Sequence, residues 1–184
     1  GVTLVATVGW ITPNKRVEDF LAVANRLCIA NVKFLVIGGW GHHHGYNRAI
    51  KDLIAVNRNR ENVLLTGTIK DFHRYIGSLD VLLCPCYTES FGRTVGEALA
   101  AGIPAIGIRG SATEELIEHE KSGFLVKCAD VDAMNLGLGP RASHSIRHSP
   151  DAIADLENAL RINRRPFCQG TGCSLNSSNF CWLF

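Results

Sequence analysis

Apolar runs that read as β-strands alternate with segments of helical period along the first two thirds of this chain. The runs TLVATVG (3–9) and VKFLVI (32–37) are rich in β-branched and apolar residues, and each meets a glycine at its end. Shorter runs predict strands at 63–65, 81–84, 104–108 and 123–126. Strands that are apolar on both faces and separated by helices indicate a parallel sheet covered on both sides. The predicted fold class is therefore α/β, a Rossmann-like doubly wound parallel sheet with helices on both faces.

Helices are predicted between these strands, where apolar residues recur every three or four positions. They cover residues 17–28, 46–58, 71–77, 94–101 and 111–118. Asp71 and Ser111 stand where a side chain caps the amino end of a helix. In folds of this class, ligands bind where the carboxyl ends of strands meet the amino ends of helices.

The regular alternation ends near residue 128, and this divides the chain into four parts. Residues 1–128 are expected to form one domain, 129–149 a loop, 150–165 a terminal helix of the same domain, and 166–184 an irregular tail. The chain begins GVTLV, inside an apolar run and without Met. We therefore expect it to be part of a longer protein.

Charge and hydropathy exclude several classes of function. Nineteen Lys and Arg against 17 Asp and Glu give a net charge of +2, too balanced for binding to nucleic acid or to a membrane surface. No apolar run reaches the roughly 18 residues of a membrane span, and no signal peptide is recognised. We expect a cytoplasmic protein, with any membrane association arising from parts outside this chain.

The seven cysteines are odd in number, which argues against a disulfide framework and indicates a reducing compartment. Four of them lie in or beside apolar segments, where a thiol packs as a small apolar group. These are Cys28, Cys84, Cys86 and Cys128. For the Cys84-Pro85-Cys86 segment, packing is therefore expected rather than redox chemistry.

The segment CPCYTESFGRTVGEALAAGIPAI (84–106) has the residues best suited to chemistry. A strand leads into a loop that contains Gly92, and a helix begins directly afterwards. The unpaired amides around Gly92, Arg93 and Thr94 form an anion site, strengthened by the helix dipole. Glu89 in the loop and Glu97 one turn inside the helix can face the same crevice, where they would accept hydrogen bonds from the hydroxyls of a sugar and a ribose.

The phrase ESFGRTVGEALAAGIPAI resembles the signature of the retaining glycosyltransferases of the GT-B fold, family 4, also called glycosyltransferase group 1. The resemblance is to the C-terminal, donor-binding domain of these enzymes and covers about residues 2–128. It extends to VGWITPNKRVEDFL, FLVIGGWG, NVLLTGTIKDFHRYIGSLDVLLCP and SATEELIEHEKSGFLV. It implies transfer of a sugar from a nucleotide sugar to an acceptor, with the anomeric configuration retained.

The resemblance also implies roles for individual residues. Lys15 and Glu89 would be catalytic, Lys15 by neutralising the distal phosphate of the leaving nucleotide and Glu89 by binding the hydroxyls of the donor sugar. Glu97 would bind the ribose hydroxyls, and Ile69 would lie against the base. The remaining donor-binding residues would be Gly9, Gly38, Ser90, Phe91, Gly92, Arg93 and Thr94. Since a fixed Lys and helix-terminal amides stabilise charge as it develops on the diphosphate, neither a cofactor nor a metal is expected.

Two departures from the family pattern bear on activity. The family has Arg directly after the first glycine, and Trp10 occupies that position here. A GT-B enzyme also binds its acceptor on an N-terminal domain, which is not recognised in this chain. The chain alone is therefore expected to bind the donor but to transfer weakly or not at all. Two alternatives stay open: a donor-binding subunit that pairs with a separate acceptor-domain subunit, and an inactive remnant.

Simpler interpretations exist for the charged residues. Lys15, Glu89 and Glu97 could each be a solvated surface charge. The run from His42 to His44 invites a metal hypothesis, but consecutive side chains point in different directions, and no carboxylate or Cys lies near them in the sequence. A solvated loop is therefore expected at that position.

Overall fold

The computed structural model describes residues 2–27, 29 and 31–142, with side chains up to residue 138. Six strands form one parallel sheet in the order β3-β2-β1-β4-β5-β6. The strands are β1 (Thr3–Val8), β2 (Val32–Ile37), β3 (Val63–Gly67), β4 (Val81–Leu83), β5 (Ala105–Ile108) and β6 (Gly123–Val126). The α-helices are α1 (Val17–Arg26), α2 (His44–Ala55), α3 (Arg93–Ala100), α4 (Thr113–Leu116) and α5 (Val131–Ala142). Short 3₁₀ turns cover Pro13–Lys15, Arg60–Asn62, Phe72–Arg74 and Ile76–Ser78.

Helices cover both faces of this sheet, as the apolar strands require. One buried cluster joins the sheet to α1, α2 and α5 through Phe20, Ile50 and Met134. The other joins it to α3 and the segment before β4 through Val95 and Leu79. The predicted doubly wound α/β class is confirmed.

Strand order reverses between β1 and β4. The chain builds the sheet outward from β1 through β2 to β3, then returns to place β4 on the other side of β1. The loops that leave β1 and β4 therefore diverge and open a crevice at the carboxyl end of the sheet. A reversal of this kind is where doubly wound folds bind their ligands.

The helix predicted over 71–77 is wrong, because two 3₁₀ turns stand there instead. Asp71 has a left-handed backbone with φ of 53°, and its side chain makes no capping hydrogen bond. The chain has to bring both Ile76 and Leu79 into the core directly before β4. Two tight turns do this over a segment that is too short for a packed α-helix.

Helix α4 ends two residues before the predicted position. Ile117 adopts an extended backbone and is buried, so the chain leaves the helix there and turns towards β6. Ser111 lies one residue before the N-cap position, and its Oγ accepts a hydrogen bond from the Thr113 amide at 3.3 Å.

The loop predicted over 129–149 is wrong in its first part, where α5 spans Val131–Ala142. Asp130 supports the start of this helix by accepting a hydrogen bond from the Ala133 amide at 2.9 Å. Met134 and Leu138, four residues apart, are fully buried against the sheet. Burial of this stripe outweighs the low helix propensity of Gly137, so the domain continues past residue 128. The predicted loop over 143–149, the helix over 150–165 and the tail over 166–184 lie outside the described residues.

The described cysteines differ in environment. Cys86 is buried and Cys84 is half-buried, as predicted, whereas Cys128 is exposed. Cys128 follows β6 and precedes Ala129, whose φ of 59° turns the chain away from the sheet. Cys28 lies outside the described residues. No helix in the part of the chain that the structure describes has the length and apolar content of a membrane span.

Candidate functional site

Three glycines bring the carboxyl ends of β1, β2 and β3 into close backbone contact. The Gly9 amide donates to the Ile37 carbonyl at 2.9 Å, and the Gly38 amide donates to the Gly67 carbonyl at 2.9 Å. A Cβ atom added to Gly38 would lie 1.9 Å from the Gly9 carbonyl oxygen. Only glycine fits this position, whose φ is also 151°. The predicted donor-binding residues Gly9 and Gly38 therefore form the floor of the crevice.

Lys15 is held over this floor by the turn that follows β1. The 3₁₀ turn Pro13–Lys15 is closed by a hydrogen bond from the Lys15 amide to the Thr12 carbonyl at 3.0 Å. The Lys15 side chain then crosses Gly9, where an added Cβ atom would lie 3.2 Å from Lys15 Cε. A side chain at position 9 would crowd the Lys15 side chain, and the φ of 136° at Gly9 is also unfavourable for other residues.

Glu89 meets Lys15 from the other side of the crevice. Its Oε2 atom lies 2.6 Å from Lys15 Nζ, and its Oε1 atom accepts a hydrogen bond from the Gly92 amide at 3.2 Å. Its backbone carbonyl accepts from the Ala112 amide at 3.1 Å, which fixes the loop to the start of α4. The Glu89 side chain is 18% exposed and that of Lys15 is 32% exposed. The two predicted catalytic residues thus form a partly buried ion pair at the point where strand order reverses.

Both members of the pair have perturbed pKa values. Burial alone would lower the pKa of Lys15, but the hydrogen bond and attraction to Glu89 outweigh it, and the pKa is raised. For Glu89, burial acts to raise the pKa, whereas Lys15 and the amides of Gly92 and Phe91 lower it, with a net lowering. Both groups are therefore charged across the neutral pH range.

The amino end of α3 borders the same crevice. Gly92 occupies the N-cap position with a φ of 65°, which suits glycine. Within the described part of the chain, the amides of Arg93, Thr94 and Val95 donate to no protein acceptor. A small recess between the pair and this helix is lined by Val8, Lys15, Leu82, Leu83, Cys84, Glu89, Gly92, Thr94 and Val95. A cation and free helix-terminal amides that face one recess are a combination suited to a negatively charged group.

The other predicted donor-binding residues are less enclosed. Glu97 is exposed on α3, and it makes no ion pair or hydrogen bond among the described side chains. Ser90 and Phe91 are exposed in the loop before α3, and Phe91 is 80% exposed. Ile69 is only 7% exposed because it packs into the core, so a base would meet its backbone more than its side chain.

The histidine run lies at the surface. His42, His43 and His44 are exposed, and His44 begins α2. Across residues 2–27, 29 and 31–142, no three His, Cys, Asp or Glu side chains are grouped so that they could hold a metal ion.

Sequence reasoning missed that Cys84 lines this recess beside Lys15 and Glu89. Burial raises the pKa of its thiol to about 11, so the thiol is uncharged at neutral pH and lines the recess as an apolar group. Its position directly after β4 is the signal that could have identified it, because residues at that end of a strand face the ligand. No sequence signal marks the contact between Ala112 and Glu89.

The amino-acid sequence is similar to that of a known protein family. The model of the family "Glycosyl transferases group 1" matches residues 2–138. N-acetyl-alpha-D-glucosaminyl L-malate synthase of Bacillus anthracis is 30% identical over 146 residues, covering 72% of this chain and 37% of that protein. 2-Deoxystreptamine N-acetyl-D-glucosaminyltransferase of Niallia circulans is 26% identical over 170 residues, covering 90% of this chain and 40% of that protein. The chain thus spans about two fifths of the length of these relatives.

A solved structure has the same fold. The crystal structure of Anabaena HepE in complex with UDP and glucose superposes with a TM-score of 0.72 at 18% identity, covering 90% of this chain and 44% of that one. At this identity the likeness concerns the fold, which is the Rossmann-like half of a GT-B glycosyltransferase.

Proposed function

Because this chain belongs to the glycosyl transferases group 1 family, we propose that residues 2–138 form the donor-binding domain of a retaining, family 4 glycosyltransferase. The observation that supports this most is the Lys15–Glu89 ion pair beside the free amides of α3, at the reversal of strand order. The substrate proposed is a nucleotide sugar. The names of two relatives refer to an N-acetyl-D-glucosaminyl group, and the HepE structure is a complex with UDP and glucose.

The chemistry proposed for this site is the departure of a nucleoside diphosphate from a sugar. The bond between the anomeric carbon and the diphosphate oxygen breaks, and its electron pair leaves with the diphosphate. Lys15 and the amides of Arg93 and Thr94 stabilise the negative charge as it develops. The acceptor hydroxyl bonds to the same carbon from the face that the diphosphate leaves, so the configuration is retained, and its proton passes to the diphosphate product.

Glu89 and Glu97 have different parts in this proposal. Glu89 lies inside the crevice, so its carboxylate is placed to hold sugar hydroxyls beside the bond that breaks. Glu97 is exposed one turn further along α3, within the part of the helix that a ribose would reach. The acceptor is proposed to bind outside residues 2–138, on a further domain or on a separate subunit.

Titration calorimetry with the whole 184-residue chain tests the donor site. UDP, GDP and ADP are titrated into the wild type, Glu97→Ala and the control Glu61→Ala, whose glutamate lies beside Arg60 at the opposite end of the sheet. We expect one of the nucleotides to bind with saturation, Glu97→Ala to weaken it about tenfold, and Glu61→Ala to leave it unchanged. A folded chain that binds none of the three would overturn the proposal and favour the inactive remnant.

A further inference from the structure

We propose that the indole of Trp10 forms the surface on which the nucleoside of the donor stacks, so that nucleoside contact replaces a second phosphate-binding cation. This inference rests on the donor site proposed above. It concerns a position at which this chain departs from the family pattern.

The backbone of Trp10 is fixed on both sides. The Gly9 amide donates to the Ile37 carbonyl at 2.9 Å, and the Ile11 amide donates to the Gly39 carbonyl at 2.8 Å. Pairing between β1 and the segment after β2 therefore continues past the strand ends. The Ile11 side chain is 1% exposed, whereas that of Trp10 is 61% exposed. The large apolar ring is thus held by paired backbone at the carboxyl end of the central strand β1 and is left open to solvent.

Strand alternation places this ring on the same side of the sheet as α3. Leu4 and Ala6 belong to the cluster that contains Val95 and Ile69, and Val8 packs against that cluster. Side chains at even positions of β1 share this face. Val5 and Ile11 belong to the cluster on the opposite face, so Trp10, which precedes Ile11, is assigned to the side of the even positions. The face is the one on which the recess and the segment predicted to meet the base also lie.

Two contacts locate the ring along the crevice. A Cβ atom added to Gly39 would lie 3.2 Å from Trp10 Cζ3 and 3.1 Å from Thr68 Oγ1, so the ring leans over Gly39 towards the segment after β3. Gly9, the residue before Trp10, is the one that the Lys15 side chain crosses on its way to Glu89. The ring therefore lies over Gly39 beside Thr68, one residue along the chain from the glycine under Lys15.

The chemistry of the indole fits a nucleoside better than a phosphate. It offers a flat apolar face and one N–H donor, and it has no charge. Stacking of a base on an aromatic side chain is favourable for any base, because every base has a π-face. With Lys15 as the cation of the recess, phosphate contributes less to affinity than in a site with two cations, and the nucleoside contributes more.

Calorimetry can distinguish the contribution of the nucleoside to affinity from that of the diphosphate. UDP, GDP and ADP are titrated into the wild type, and the tightest binder is compared with inorganic pyrophosphate as a nucleoside-free probe. The variants are Trp10→Ala, Trp10→Phe and the control Val56→Ala, which removes an exposed apolar group from the end of α2. Thermal unfolding establishes that each variant is folded.

We expect Trp10→Ala to weaken the nucleotide about tenfold and Trp10→Phe less than about threefold, with pyrophosphate binding unchanged in both. The Val56→Ala control should match the wild type. Equal nucleotide affinity in Trp10→Ala and the wild type would overturn the inference, and so would equal weakening of nucleotide and pyrophosphate. A wild type that binds pyrophosphate but no nucleotide would overturn it too. Failure to bind either probe would overturn the donor site itself.

Discussion

Lys15 Nζ lies 2.6 Å from Glu89 Oε2, although 74 residues separate them in the sequence. The contact joins the turn after β1 to the loop after β4, the two segments that diverge where strand order reverses. Before a ligand arrives, the lysine charge is therefore compensated by a carboxylate that also accepts the Gly92 amide. In the proposed donor site, a bound diphosphate would share Lys15 with Glu89, so we expect the two residues to have opposite effects on nucleotide affinity.

Replacing Lys15 by Ala is expected to weaken UDP binding by about ten- to one-hundredfold, since a charge-assisted hydrogen bond to phosphate is lost. Uridine, which has no phosphate, should bind the variant and the wild type alike. Calorimetry with both ligands checks this. Lys121→Ala is the matched control, because Lys121 is exposed and pairs with Glu118 away from the crevice. Equal loss of UDP and uridine affinity would point to a structural role for Lys15.

Replacing Glu89 by Gln is expected to strengthen UDP binding by about threefold, because the lysine is freed from its carboxylate partner. In the same variant, the sugar should add less to the binding affinity of a nucleotide sugar than it does in the wild type, since the Glu89 carboxylate is proposed to bind sugar hydroxyls. Calorimetry with UDP-glucose and with UDP measures the ratio of the two affinities, and this ratio should be lower in Glu89→Gln than in the wild type. A ratio that stays at the wild-type value would separate Glu89 from sugar binding.

The contribution of the pair to stability should depend on pH at acidic values. The pKa of Glu89 is lowered from 4.5 on folding, so its stabilisation is fully present above about pH 4.5 and is lost as the pH falls through the folded-state pKa. The pKa of Lys15 is raised from 10.5, so its contribution is fully present below about pH 10.5 and is lost as the pH rises through the higher folded-state pKa.

Urea unfolding of the wild type and of Glu89→Gln at about pH 7 and about pH 3 measures this dependence. Because the other carboxyl groups titrate in both proteins, the difference in the free energy of unfolding isolates Glu89. The free energy of unfolding of the wild type should exceed that of Glu89→Gln by more at the neutral pH than at the acidic pH. A difference that does not change between the two pH values would contradict the assigned pKa direction.

The arrangement around the crevice could be predicted in part because its pieces are local in sequence. Gly92 before a helix predicts free amides at a helix start, and apolar strands predict a parallel sheet whose carboxyl ends gather the loops. Helix α5 was missed because its stability comes from burial of Met134 and Leu138 against distant strands. The side-chain burial of Ile69 was missed for the same reason, since only the folded core decides how much of a side chain stays exposed.

The backbone contact between Gly38 and Gly9 predicts that Gly38→Ala destabilises the domain. A Cβ there would lie 1.9 Å from a carbonyl oxygen, and the φ of 151° is unfavourable for alanine. The free energy of unfolding should fall by about 2 kcal/mol or more. Gly45→Ala is the matched control, because it lies in α2 with open space around it and should gain stability. Urea unfolding compares the two, and equal stability would show that the crevice floor tolerates a side chain.

A crystal structure of the 184-residue chain with UDP-glucose tests the donor site most directly. We expect the distal phosphate to lie within hydrogen-bond distance of Lys15 Nζ and of the Arg93 and Thr94 amides. We also expect glucose hydroxyls on Glu89, the ribose on Glu97 and the nucleoside against Trp10. A nucleotide bound elsewhere, such as in the cavity between β6 and α5 that His119 and Lys127 line, with the Lys15–Glu89 pair unchanged, would contradict the proposed donor site.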